Sequence, residues 1–425
     1  MRNMDDDFRT VENYPPGIRG EPDIMAKTQL KPADAVDPHG AGAELLERVK
    51  TVLPQIAANA EQAEAERQLP AENVALLRKT GLYRAFQPRI YGGLELHVAD
   101  YGPCLVALAG ACGATAWVSS LLAQHVHGVA LFSREAQDEI WGDGGEALIG
   151  SSVAPVGKAE TVEGGVILSG KFGFSSGCDH ADWFILGFRH PGHQPPLERH
   201  YALVPRSQVI IIDDWHTAGM RGTGSKSLMV ERVFVPDHRL EPLVALNTGA
   251  SKGFGVNDSE IYHAAFMNHF NIGFPAVAVG MARRMAEVYA ERTRSRIKVF
   301  TGASASARSP AAIRLARGVF AAEAALAFIE KDWRGIDARS ASRQLPTADE
   351  MFRWRTNHAY CIQLAIQAAD ELFGGAGGSA WFDSNEMQRL WRNIHMCGAH
   401  AGTDYDTCSE VLGRYLLGLD LDPTL

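Results

Sequence analysis

Hydrophobic positions change period twice along the chain. Between residues 42 and 146 they recur at helical spacing: Leu45, Leu46, Val49, Val52 and Leu53 share a face, and Leu76, Leu77, Leu82 and Tyr83 follow Pro70, a residue suited to the first turn of a helix. The run QPRIYGGL over 87–94 interrupts this period with a proline and two glycines, so a loop is expected there. From 147 to 248 the pattern becomes short apolar runs. Residues 147–153, 159–162, 166–169, 183–188, 201–204, 209–212 and 227–235 read as strands, with Glu163-Gly164-Gly165 as a hairpin turn and Pro236 as the end of the block. Helical spacing returns after a glycine-rich linker near 249–256 and is clearest at 276–292, 311–329, 348–372 and 406–417. The order predicts an α+β protein: an N-terminal helical domain over 42–146, a central β barrel or sandwich over 147–248 and a C-terminal helical bundle over 257–425. Residues 1–41, rich in Pro, Asp and Gly, are expected to form an extended tail.

Residues 101–133 contain no Asp, Glu, Lys or Arg. Prolines, glycines, serines, Gln124, His125 and His127 within that stretch favour helices buried in protein over a membrane span. The whole chain, 46% hydrophobic and 21% charged over 425 residues, has ordinary globular composition. A net charge of -9 argues against nucleic acid as a partner, because phosphate binding needs basic patches. The N-terminus MRNMDDDFRT is acidic where a secretory signal is basic, and six scattered cysteines make no C-x-x-C pair. A cytoplasmic protein with reduced thiols is expected. No metal site is expected either, since His125 and His127 point to different sides of a helix and lack carboxylate company.

Three segments carry candidate chemistry. The stretch GMRGTGS over 219–225 offers main-chain N–H groups and the side chains of Arg221, Thr223 and Ser225 to an anion, or is a plain β-turn. In GKFGFSS over 170–176, Phe174 and Ser176 fall on one strand face and Ser175 on the other, a surface suited to a flat ring system, or an ordinary strand with its hydroxyls facing water. FGGAGG over 373–378 ends a long helix, and its glycines suit a helix stop. His125, His127, His263, His269, His395 and His400 concentrate in the helical blocks, and a single histidine there suits proton transfer near neutrality.

Together these marks resemble the acyl-CoA dehydrogenase superfamily over roughly residues 42–420: Tyr91-Gly92-Gly93, Trp183, the 219–225 loop, Gly374-Gly375 and the segment 392–403 occur in the family's order. The superfamily fold is a helical domain, a β domain and a C-terminal four-helix bundle. True dehydrogenases commonly place a Glu before a Gly-Thr pair in the last segment, as the base that takes the substrate α-proton. Here Ala401 precedes Gly402-Thr403, and alanine accepts no proton. His400 stands one residue earlier.

That departure makes the chain similar to the two-component flavin-dependent monooxygenases of the same fold, such as 4-hydroxyphenylacetate 3-hydroxylase oxygenase components. The resemblance implies reduced FMN, or else reduced FAD, delivered by a separate NAD(P)H-dependent flavin reductase. It further implies reaction with O2 to a C4a-hydroperoxyflavin and hydroxylation of a small aromatic, phenolic or fused-ring substrate by a homotetramer. Oxygenation at nitrogen or sulfur, or dehydrogenase-like chemistry, are the alternatives. Position by position, it implies that Trp117 and His125 wall the flavin–substrate site, Ser151 lies beside the flavin, and Ser176 (or Ser175) meets flavin N5. It assigns His400 to the substrate, as acceptor of a phenol proton, and Gly219, Met220, Arg221, Thr223, Ser225, Gly374 and Gly375 to the cofactor. Relatives that hydroxylate phenols carry an Arg early in the C-terminal domain. This chain has none between Arg239 and Arg283, so His263, Asn268 or His269 is the candidate there. Arg292, Arg294 and Arg296 resemble the cluster that reaches a flavin phosphate across a subunit interface.

Overall fold

Helices begin where the helical period begins. The computed structural model describes residues 40–195, 197–297, 302, 304 and 309–421; apart from Gly40 and Ala41, the tail expected over 1–41 lies outside them. The first block holds α1 (Ala41–Ala58), α2 (Ala60–Glu66), α3 (Ala71–Thr80), α4 (Val98–Ala111), α5 (Gly113–Val129) and α6 (Arg134–Trp141). The second holds β1 (Ile149–Val162), β2 (Gly165–Ser175), β3 (Trp183–Arg189), β4 (Arg199–Pro205), β5 (Ile210–Ile212), β6 (Lys226–Pro236) and β7 (Leu240–Pro242). Then come α7 (Leu243–Thr248), α8 (Phe266–Phe270), α9 (Gly273–Ser295), α10 (Ser309–Ala341), α11 (Ala348–Ala376), α12 (Glu386–Cys397) and α13 (Tyr405–Leu416).

The strands form one seven-stranded sheet in the order β5-β6-β2-β1-β3-β4-β7. β1 and β2 join through a two-residue turn, since Val162 pairs with Gly165 and Gly164 adopts φ 77°. The β1–β3 pair is parallel, and its register shifts between Ser152 and Gly157. The runs at 147–153 and 159–162 therefore belong to one irregular strand. In the last block α9, α10 and α11 pack on one another, α12 packs on α9 and α11, and α13 packs on α11. The sequence pattern left α12 unmarked. Asn385 starts it by accepting from the Met387 N–H, just as Thr347 and Glu350 start α11 with a capping box.

α4 and α5 take up most of the charge-free stretch, and all 17 residues of α5 are buried. A helix with no polar face must be covered on every side. α5 contacts α4, α8, α9 and β1, which makes it the axis on which the three blocks meet. Among the described residues no helix is long and apolar enough to cross a membrane. The first and last blocks are also joined by polar contacts. Asp337 on α10 accepts the N–H groups of Val98 and Ala99, both at 2.8 Å, and so caps α4 from another helix. Close by, a Cβ at Gly102 would lie 2.4 Å from the Trp333 ring, so this glycine lets α4 and α10 touch.

Candidate active site

α5 brings Trp117 and His125 to a belt of rings shared by the first and last helical blocks. Phe270 stacks on His125 at 5.6 Å between centroids, Phe274 lies 5.7 Å from Phe270, and His400 lies 4.1 Å from Phe274. Trp117 closes the belt, 4.8 Å from Phe274 and 5.6 Å from His400. Trp117, His125, Phe270 and Phe274 are all buried. Three serines stand beside the belt: Ser151 from β1, Ser176 from the turn after β2, and Ser225 just before β6. Gly177, at φ 68°, lets that turn reach α5, because a Cβ there would meet Val118 at 2.4 Å.

Hydrogen bonding sets the polarity of each histidine. His125 Nδ1 lies 2.6 Å from the Ile149 carbonyl, which can only accept, so Nδ1 carries a hydrogen. Burial pushes the His125 pKa down to about 4, against a raising contribution from that carbonyl, and the ring is neutral. Nε2 is therefore bare, and the Ser151 hydroxyl donates to it at 3.0 Å. The Ser151 oxygen keeps lone pairs for a further donor.

His400 has the opposite polarity. Its Nδ1 accepts the Gly402 N–H at 3.0 Å, and burial alone pushes its pKa down to about 4. In a neutral ring whose Nδ1 accepts, Nε2 bears the hydrogen. In this arrangement His400 offers a donor at Nε2, where the resemblance implies an acceptor of a phenol proton. Ser151 with His125 offers the acceptor.

Ser176 begins a chain of hydroxyls. Its Oγ accepts from Trp117 Nε1 at 3.1 Å and lies 2.7 Å from Ser225 Oγ, which lies 2.7 Å from Thr223 Oγ1. Thr223 donates to the Met220 carbonyl at 2.8 Å. Asn393 on α12 holds Met220 through its N–H at 2.6 Å. Asn393, Phe270 and Phe274 were not singled out by sequence. The spacing of Phe266, Phe270 and Phe274 by four was the available signal for the two rings.

Other expected residues lie elsewhere or act differently. The 219–225 segment is a packed turn and not an open anion cradle. The N–H groups of Met220, Thr223 and Gly224 are already bonded, Gly222 sits against Ala63 and Ala114, and Arg221 Nε donates to the Thr217 carbonyl. Gly219 packs against the Arg392 backbone. Ser175 is fully buried and its hydroxyl has no partner among the described residues, whereas Ser176 is bonded to Trp117 at the belt. Gly374 and Gly375 lie in the last turn of α11, where a Cβ on Gly375 would strike the Tyr289 hydroxyl. They pack against Arg314 and Tyr289, and among the described residues no hydrogen bond or ring contact links them to the belt. His263 contacts Arg343 at 3.3 Å and Phe254, away from the belt. His269 turns its back to it and stacks on His127 at 3.8 Å. Arg292 donates to Ser379, and Arg296 caps the α11 carbonyls of Gly375 and Ala376. Arg294 lines a groove of about 400 Å³ between α9 and α10 with Arg283, Glu287 and Glu323.

A flavin can be tested against this geometry. Phe174 is 75% exposed and held at φ 60°, a strained conformation for an aromatic residue, with its ring edge-on to Trp215 at 6.0 Å. It precedes Ser175 and Ser176 at the strand end, so an open aromatic face and a hydroxyl with a spare lone pair lie close together. These residues fit a flat, hydrogen-bonding ring system.

Comparison with known proteins agrees with this fold. The model of the acyl-CoA dehydrogenase C-terminal domain matches residues 272–405. The oxygenase component of p-hydroxyphenylacetate 3-hydroxylase from Acinetobacter baumannii is 43% identical, over 95% of this chain and 96% of its own. The crystal structure of 3-HSA hydroxylase from Rhodococcus sp. RHA1 superposes with TM-score 0.84 at 30% identity, covering 90% of this chain and 99% of that one. XiaF from Streptomyces sp., solved with FADH2 and glycerol, gives TM-score 0.84 at 26% identity, covering 91% of this chain and 98% of its own. The chain therefore belongs to the acyl-CoA dehydrogenase superfamily, in its branch of oxygenase components of two-component flavin-dependent monooxygenases.

Proposed function

We propose that this chain hydroxylates a neutral phenolic or fused-ring aromatic substrate, using reduced flavin from a separate reductase. Bound reduced flavin supplies two electrons to O2, so that one oxygen atom enters the ring and the other leaves as water. The chain's own residues bind, orient and move one proton. The aromatic belt of Trp117, Phe270 and Phe274 buries the substrate ring and excludes water. The observation that carries the reading is the Ser151–His125 couple. It presents an acceptor where a phenol needs one, and the bond at 3.0 Å gives the proton a route from Ser151 to His125.

A base with a pKa of about 4 is weak against a free phenol. It suffices once an electrophilic oxygen attacks the ring, because the developing positive charge makes the phenolic O–H strongly acidic. His400 Nε2–H can then hydrogen-bond an oxygen of the substrate or of the oxidant. Amines and thioethers need no acceptor of this kind, so the couple favours phenol chemistry over oxygenation at nitrogen or sulfur. Acyl-CoA dehydrogenation is disfavoured by Ala401, which supplies no base.

The relative's name specifies p-hydroxyphenylacetate, an anion. Among the described residues of this belt, Trp117, His125, Ser151, Ser176, Phe270, Phe274 and His400, there is no cation for a carboxylate. This supports a neutral substrate. FADH2 in the XiaF structure supports FAD, and FMN remains the competing cofactor. A homotetramer packed through the last helical block is part of the proposal. Phe320 and Phe328 on α10 and Tyr360 on α11 are exposed to 73%, 40% and 39%, a face that a second copy would cover. The test is anaerobic titration with each reduced flavin, then turnover of a phenol panel with a generic reductase, read by mass spectrometry. Binding with a gain of one oxygen atom supports the reading. Tight binding of neither flavin overturns it.

A further inference from the structure

The hydroxyl chain behind Ser176 has a direction that can be read from its far end. Thr223 Oγ1 lies 2.8 Å from the Met220 carbonyl oxygen. A carbonyl has no hydrogen to give, and two oxygens at that separation need one between them. The single Thr223 hydrogen is thereby spent. Across the 2.7 Å contact with Thr223, Ser225 must donate, and its single hydrogen is spent as well. Across the next 2.7 Å contact Ser176 must donate to Ser225. Trp117 Nε1 meanwhile donates to Ser176 Oγ. Ser176 is left with no hydrogen to offer and one lone pair. The anchor is firm: Met220 O also accepts from Trp215 Nε1 at 3.1 Å, and Asn393 fixes the Met220 N–H. Ser176, Ser225 and Thr223 are all buried, so water does not scramble the chain.

We infer that Thr223 and Ser225 are positioning residues that make Ser176 an obligate acceptor, and thereby select reduced over oxidised flavin. The inference rests on the flavin reading above, with N5 at Ser176. Reduced flavin carries a hydrogen on N5 and satisfies the lone pair. Oxidised flavin presents a bare N5 and meets another acceptor, which is repulsive. An oxygenase component that receives its flavin from a separate reductase profits from this selection, because spent flavin leaves and reduced flavin enters.

The experiment measures dissociation constants of oxidised and anaerobically reduced FAD and FMN for the full chain and three variants. Thr223→Val keeps the shape but removes the acceptor for the Ser225 hydrogen. Ser225 then turns to Ser176, and the Ser176 hydrogen becomes available to a bare N5. Ser225→Ala frees the Ser176 hydrogen directly. Both variants should bind oxidised flavin more tightly, lowering the ratio of oxidised to reduced dissociation constants about tenfold. For a two-electron couple this lowers the potential of bound flavin by about 30 mV. Thr223→Ser should restore the native ratio. A gain of affinity distinguishes the effect from structural damage, which weakens both forms. An unchanged ratio in the two variants, with selective binding by the native chain, overturns the inference and leaves the flavin reading intact. Failure of the native chain to bind reduced flavin overturns both.

Discussion

The Ser151 hydroxyl donates to His125 Nε2 at 3.0 Å, and it has no choice of direction, because the Ile149 carbonyl claims the hydrogen on His125 Nδ1 at 2.6 Å. A substrate hydroxyl placed at Ser151 therefore meets an oxygen that must accept. In the proposed function this serine links the substrate hydroxyl to the histidine.

Ser151→Ala should lower the rate of hydroxylation by about 10²-fold or more, the usual contribution of a positioned base. Flavin binding should change little, and oxygen consumption should continue as hydrogen peroxide release. Coupled assays of product and peroxide check this. Full coupling in the variant would show that the proton leaves by another route.

At His400 the expected effect is smaller, and its chemistry is that of a lost donor. His400→Asn keeps an N–H and should retain most product formation, whereas His400→Leu should lose about tenfold, the worth of one hydrogen bond. Reversal of that order, with Asn as harmful as Leu, would count against a donor role.

Both histidines are neutral because burial lowers their pKa to about 4. Protonation below that value removes the His125 acceptor and sets a second hydrogen on His400 against the Gly402 N–H. Hydroxylation per bound flavin should be level from pH 6 to 8 and fall as the pH drops towards 4. Single-turnover product yield across that range is the check, and a midpoint near the ordinary histidine value of 6.5 would contradict it.

Much of this arrangement was legible in the sequence, for identifiable reasons. The uncharged run over 101–133 marks α5 as a buried axis, and the Glu-Gly turn before Gly165 marks the β1–β2 hairpin. Ser176 was marked by its aromatic neighbours. His269 points away from the belt because neighbouring residues on a helix differ by about 100°. Phe270 faces the belt, so His269 faces His127. The polarity of His400 depends on one backbone N–H in the turn at Ala401–Thr403, and no side-chain pattern records it. The Asn393 bond to Met220 spans 173 residues of sequence, beyond the reach of local spacing.

A stability prediction follows from the junction of α4 and α10. Asp337→Asn loses one acceptor oxygen and places an NH2 near a helix N-terminus, which should cost about 1–2 kcal/mol. His97 lies 3.5 Å from the same carboxylate, and Asp337 raises its pKa above 6.5 against the effect of burial. A raised folded pKa gives stabilisation that is complete below the unfolded value and is lost as pH climbs through the folded value. The unfolding midpoint should therefore decline from about pH 6.5 upward, and His97→Gln should flatten that part of the profile. Thermal unfolding in a pH series tests both variants.

Substrate charge is the last property the site decides. An anionic arm on the substrate must give up water to enter a belt of Trp117, Phe270, Phe274 and two neutral histidines, and that loss is costly without a paired cation. Lys252, the only Lys or Arg between Arg239 and Arg283, spends its ammonium on the carbonyls of Asp237 and Leu240. A neutral phenol of similar size pays no such cost. Its kcat/KM should exceed that of p-hydroxyphenylacetate by at least tenfold, with most of the difference in KM, since the carboxylate is remote from the reacting carbon. Introducing Arg at Asn268, on α8 beside the belt residue Phe270, should narrow the gap by lowering KM for the anion. Steady-state kinetics on the matched pair, with peroxide release subtracted, provide the check. Equal kcat/KM for the two substrates in the native chain would show that a cation outside the belt reaches the bound anion.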